Sequence, residues 1–304
     1  MLALIGVAVV VLYHVFGVTD IGYDPNRVTH SIFAWLADRW RTDFKDTFYA
    51  NSHYIPFVTI ALIWLKRKEL AAVKSGPWWP GLLVVALALA MHWAGSKSQQ
   101  TRLSLLSLIL LLWSIPLTLY GRRFGRILLF PCAFLVFSLP LNFFDSATYP
   151  VRILAARFSA AILGGFGIPV TARGSLLAAA EEGGFRLDTA DSTSGIFALT
   201  AVVALTVAVA WLTQRSVIRF VILSMLAIPV AFLANVTRIV IVGVTATAVG
   251  PGFTETTAHA TLSGLSFLVS SVAYLAALVS LMRSDWRAWF DRLKAMFKPV
   301  DTIT

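Results

Sequence analysis

The chain has 304 residues, of which 58% are hydrophobic and only 13% charged, and its mean hydropathy is +0.78. A soluble domain usually carries about a quarter charged residues, so roughly half of the solvating surface is missing and an ordinary soluble fold is excluded. The net charge of +10 reads as membrane anchoring in so apolar a chain, and nucleic acid is not an expected partner. The single cysteine, Cys132, excludes an internal disulfide and a cysteine metal cluster.

The apolar residues fall in runs near the ~20 residues a spanning helix needs. The first, 2–18, lacks a Lys/Arg-rich start and a small-residue cleavage site, and so reads as a span rather than a signal peptide. Ile55–Leu65 is shorter but runs into Lys66, Arg67 and Lys68. Runs 79–94 and 103–120 flank a short polar loop at 95–101. Arg122, Arg123 and Arg126 introduce 127–144, and extra hydrophobic helix follows at 150–168. Run 195–212 comes next. Arg215 and Arg219 mark the start of 217–233, further hydrophobic helix covers 239–249, and 262–282 is the last run. The spacing predicts an all-α integral membrane protein with eight transmembrane helices over 1–282. Residues 283–304 form a tail in which Trp286, Trp289, Phe290, Leu293 and Phe297 share one helical stripe, as in a helix lying flat on the cytoplasmic leaflet.

Short cytoplasmic loops collect Lys and Arg. Eight spans that start inside place all four basic clusters, including the tail, on one side. The opposite, outward side then holds 19–51, 95–101, 145–194 and 234–260, where basic residues mix with Asp24, Glu181, Asp188, Asp191 and Glu255. The expected location is the inner membrane, with any chemistry facing the periplasm or cell exterior.

Three outward places set polar residues beside hydrophobic helix. Residues 188–195, DTADSTSG, end where run 195–212 begins. There Thr193 or Ser194 serves either as a helix cap or as a hydroxyl at the positive end of a helix dipole, where developing negative charge is stabilised. Asn235-Val236-Thr237-Arg238 embeds an arginine in apolar sequence, at roughly 2.5–3.5 kcal/mol on insertion scales, so Arg238 either snorkels or faces a polar cavity. His259 precedes the last run, as a structural histidine or as an acid/base. A hydroxyl, a guanidinium and an imidazole at one membrane depth are the parts of an acyl-transfer site: nucleophile, oxyanion or carboxylate binder, and general base.

At these residues the sequence resembles the exosortase/archaeosortase family of membrane transpeptidases. Residues 51–56, Asn-Ser-His-Tyr-Ile-Pro, followed by a short span and Lys-Arg-Lys, resemble the family's SHG-x-x-x-P segment and basic cluster, with Tyr54 in place of glycine. Residues 137–141, Phe-Ser-Leu-Pro-Leu, resemble its proline-bearing fifth span. A strand-prone stretch at 167–174 leads to Ser192-Thr193-Ser194-Gly195, where the family shows Ala-Cys-Ser-Gly. Asn235-x-x-Arg238 and His259 fall where the family has Asn-x-x-Arg and its histidine. The resemblance implies an enzyme that recognises a C-terminal sorting tail on membrane protein substrates: a motif of the Pro-Glu-Pro (PEP-CTERM) type, a hydrophobic span and a basic cluster. Cleavage occurs on the outer face, with transfer to an acceptor. It also implies Thr193 at the nucleophile position, Arg238 as oxyanion or carboxylate binder, His259 as acid/base, and Ser194 and Asn235 in support, with no metal or organic cofactor.

The departure at Thr193 bears on mechanism. A thiol ionises near 8.5, whereas an alcohol resembles water at roughly 15.7; the gap of about 7 pH units corresponds to on the order of 10 kcal/mol of extra activation demand. Serine hydrolases meet it with a base and a preorganised oxyanion hole. Phe197 also stands where the family often has a basic residue. The alternatives are a catalytically impaired Cys-to-Thr variant, a member adapted to an alcohol, or a non-enzymatic relative that binds sorting tails or assists envelope polysaccharide export. A transporter, the rival from another class, needs ionisable residues deep in its spans, and the runs carry almost none apart from Arg238 and His92.

Overall fold

A computed structural model describes residues 2–17, 31–46, 52–139, 143–180, 184–188, 196–214 and 216–283. Within these the chain is mostly helical with one small sheet, and it packs as two units, Met1–Pro150 and Val151–Thr304.

The first unit contains α1 (Leu2–Val15), α2 (Ile32–Asp46), α3 (Ile55–Leu65), the short α4 (Arg67–Ala72), α5 (Gly81–Lys97), α6 (Thr101–Tyr120) and α7 (Arg122–Phe134). At 20 residues α6 is about 30 Å long, the thickness of a bilayer's hydrocarbon core. It forms an antiparallel hairpin with α5, close enough at both ends to require glycine. A Cβ on Gly81 would collide with Thr118, and one on Gly95 would stand 2.9 Å from the backbone nitrogen of Ser104. Small residues that let backbones approach are the usual basis of helix packing in lipid. Tyr13 of α1 completes the layer: it is buried, its hydroxyl lies 2.8 Å from Ser107 Oγ, and its ring packs on His92.

Two expectations are corrected here. Run 127–144 is not one helix. Helix α7 starts earlier, at Arg122, and gives way at Phe134 to a 3₁₀ turn, Leu135–Ser138. Leu139 is extended (φ −87°, ψ 136°) because it precedes Pro140, and a residue before proline avoids the α region. The second correction is α2, which lies in the expected loop 19–51. It buries Ile32 and Trp35, while Trp40 Nε1 donates to the Ser138 carbonyl at 3.3 Å. As an amphipathic helix rather than a continuous apolar run, it carries no span signal.

The chain resumes with α8 (Phe143–Gly165), which contains most of the predicted stretch 150–168. Strands β1 (Val170–Arg173), β2 (Leu176–Ala179) and β3 (Arg186–Asp188) follow, and then α9 (Ile196–Thr213), α10 (Val217–Met225), α11 (Ala227–Val249), a 3₁₀ turn Pro251–Glu255 and α12 (Thr257–Arg283). The single strand-like stretch expected at 167–174 is an antiparallel meander in the order β1-β2-β3. Arg173 pairs with Leu176, leaving a two-residue hairpin loop whose first residue, Gly174, has φ +63°, the conformation that primed hairpin turns require. Period-2 alternation puts Leu177 and Leu187, which pair across β2 and β3, into a core with Phe185, Ala155, Ala156 and Leu163 of α8, and Val236, Ile239 and Val242 of α11.

Helix α11 is the centre of the second unit. One side packs on α8 and the sheet. Another, through Val230, Ala231 and Ala234, packs on Val202 of α9 and Phe267 of α12. Stretch 239–249, expected as extra hydrophobic helix after the run 217–233, belongs to α11, which runs unbroken from Ala227. Helix α12 begins at Thr257, ahead of the run 262–282, so His259, expected just before that run, sits in the helix's first turn. Among the described residues, Thr101–Tyr120, Val217–Val249 and Thr257–Met282 are long and apolar enough to cross a membrane, joined by the shorter apolar helices Ala3–Val15, Ile55–Leu65, Gly81–Lys97 and Ala201–Thr213. The tail stripe 286–297 lies outside the described residues.

Candidate active site

Arg238 occupies the middle of α11, about 16 Å of helix rise before its end at Val249. It does not snorkel: its exposure is 0%, and it is the largest fully buried side chain described. Two neighbours hold it. Nε donates to Asn235 Oδ1 at 3.1 Å, one turn earlier on the same helix, and Nη1 donates to Ser263 Oγ on α12 at 2.8 Å. Asn235 and Ser263 are buried as well. Nη2 is fully enclosed and has no hydrogen-bond partner among the described residues. A guanidinium carries five N–H donors, and here its inner edges are fixed while Nη2 is left over. Among the described residues both of its partners are neutral, and a buried cation without an anion is costly by several kcal/mol, so the helices hold rigidly a group that wants negative charge.

The imidazole lies on the helix that supplies Ser263. His259 and Ser263 are four residues apart on α12, and i,i+4 side chains share a face with Cβ atoms roughly 6 Å apart. The Arg238–Ser263 bond therefore ties the guanidinium to the helical face that carries His259. His259 is buried at 6% exposure, and its ring meets Phe253 edge-on at 6.0 Å between centroids. Thr256 caps α12: its backbone is extended, and its Oγ1 accepts from the His259 backbone nitrogen at 3.2 Å, the N-cap to N3 pattern. Phe253 also packs against the core that holds β3's Leu187, so the sheet, the 3₁₀ turn and the first turn of α12 form a continuous support.

Thr193 and Ser194 lie outside the described residues. The chain on either side is described, with β3 ending at Asp188 and α9 beginning at Ile196. Ser263 was missed in the sequence, although its spacing from His259 was a usable signal: serine four residues after an interfacial histidine lies on the same helical face. The pairing with Arg238 was not readable, because it depends on the crossing of α11 and α12. A second polar bond between those helices, Thr237 Oγ1 to Tyr274 Oη at 2.7 Å, was missed for the same reason.

The family model for transmembrane exosortases matches residues 40–276. The chain belongs to this family. The match runs from within α2 through most of α12 and includes Asn235, Arg238, His259 and Ser263. Together with the apolar helices, exosortase membership makes this a multi-pass membrane protein. Comparisons with curated proteins and with solved structures give no match.

Proposed function

We propose that this exosortase-family chain is a membrane transpeptidase or peptidase. In this reading it takes the C-terminal sorting tails of other membrane proteins, of the PEP-CTERM type, and cleaves them on the non-cytoplasmic face of the inner membrane, with eight spans starting inside. The observation that carries the reading is the enclosed Arg238, whose Nη2 has no partner among the described residues. Such a donor is suited to the oxyanion that develops when a peptide carbonyl is attacked, since preorganised donors in a dry site stabilise charge far better than in water. His259, on the face shared with Ser263, serves as acid/base. Asn235 fixes the guanidinium through Nε, and Thr193, with Ser194 beside it, stands at the nucleophile position.

The threonine favours one second reading, in which the scaffold retains tail binding but turns over slowly or not at all. The test is co-expression with a tail-bearing substrate from the same genome, following loss of the tail as a size shift. Cleavage by the native chain that disappears in Arg238→Ala supports the enzyme. A stable complex that cross-links without cleavage supports the tail-binding reading.

A further inference from the structure

The first unit contains a groove of about 320 Å³ lined by α1, α5 and α6. Ala8 and Leu12 form one wall, Leu82 and Leu89 a second, and Leu111 and Ile115 the floor. The one lining hydroxyl, on Thr118, is spent on the Ser114 carbonyl at 2.8 Å, so the groove offers no polar group to a ligand.

One end of this groove is flanked along the chain by basic residues. It lies where α5 begins and α6 ends, near Leu82, Thr118 and Leu119. The segment before α5 is tied across that end, Trp78 N donating to the Thr118 carbonyl at 2.8 Å and Gly76 N to the Tyr120 carbonyl at 3.4 Å. That segment carries exposed Lys74 and Trp79, and exposed Arg122 and Arg123 follow Leu119 directly after Gly121. Among the described residues, Glu69, the acid nearest these cations in sequence, is paired with Lys66.

We propose that the groove is a binding site for an anionic phospholipid, with an acyl chain along α1, α5 and α6 and the phosphate at Arg122, Arg123 and Lys74. Charge complementarity selects this occupant over a zwitterionic lipid. A purely apolar groove in a membrane takes any acyl chain, whereas the basic mouth distinguishes headgroups. Exposed Trp79, just before α5, suits the interfacial depth where tryptophan is enriched. The site is independent of the Arg238 chemistry.

The test is native mass spectrometry of the purified full chain, released from nanodiscs holding equal phosphatidylglycerol and phosphatidylcholine. The two arginines are together worth about thirtyfold in affinity for an anionic headgroup. The native protein should therefore retain phosphatidylglycerol by a wide margin, and Arg122→Gln with Arg123→Gln should bring the two lipids close to equal retention. Ala8→Trp or Leu89→Trp, each filling the groove from an exposed position, should remove the retained lipid with the arginines intact. Equal retention of both lipids by the native chain overturns the proposal. So does a phosphatidylglycerol preference that survives the groove-filling changes, which would assign it to surface charge alone.

Discussion

Ser263→Ala isolates the bond that ties Arg238 to the helix of His259. The change removes the acceptor 2.8 Å from Nη1 and leaves a second buried guanidinium nitrogen without a partner. Hydrogen bonds to charged groups are worth about 1.5–3 kcal/mol. In membrane proteins measured interhelical couplings are smaller, with a maximum near 1.7 kcal/mol. Arg238 is charged and fully enclosed, so the loss should lie at the upper end of the membrane range, about 1.5 kcal/mol. In an Arg238→Met background no donor remains to be orphaned, and the same serine change should alter stability by less than about 0.5 kcal/mol. The assay is a double-mutant cycle on the four proteins, unfolded reversibly in mixed micelles. A coupling below about 0.3 kcal/mol would refute the bond as an element that fixes the guanidinium.

Three further outcomes follow from the same packing. Thr256→Ala removes the cap on α12 and should lower stability by about 1 kcal/mol; it should also reduce tail processing, whereas Thr254→Ala in the neighbouring turn should do neither. Gly81→Val drives a side chain into Thr118 and its backbone, and overpacking of this kind costs typically 1–3 kcal/mol, read as a lower midpoint in the same unfolding assay. After Cys132→Ala, cysteines at Asp24 or Glu181 should react with an impermeant thiol reagent in intact cells, and cysteines at Lys68 or Arg123 should not. Labelling at position 68 from outside would invert the proposed orientation.

What the sequence made legible was decided by continuous hydrophobicity. Ile55–Leu65 and the run ending at Tyr120 match helices almost to the residue, because uninterrupted apolar stretches bounded by charge leave the chain no other satisfied backbone. The same rule failed at Leu139, where proline geometry overrode hydropathy, and at α2, whose burial depends on one face rather than on a run. For Arg238, cost alone left two outcomes, snorkelling or facing a polar cavity; burial against Ser263 and Asn235 lets the charged residue sit mid-helix, with α11 continuous through Val249. The candidate residues were visible as chemically unusual groups in apolar surroundings. How the guanidinium is held was not, since a pair separated by 25 positions is set by helix crossing rather than by local pattern.

The central claim is an exosortase site in which Arg238 and His259 serve chemistry begun at position 193. Its most direct test is Thr193→Cys, co-expressed with a tail-bearing substrate encoded in the same genome. A thiolate lowers the activation demand by on the order of 10 kcal/mol relative to an alkoxide, so tail removal should rise well above the native level. That gain should vanish when Arg238→Ala or His259→Ala is added. Absence of cleavage by both the native and the Thr193→Cys chains, or a Thr193→Cys gain that persists without Arg238, would contradict the account.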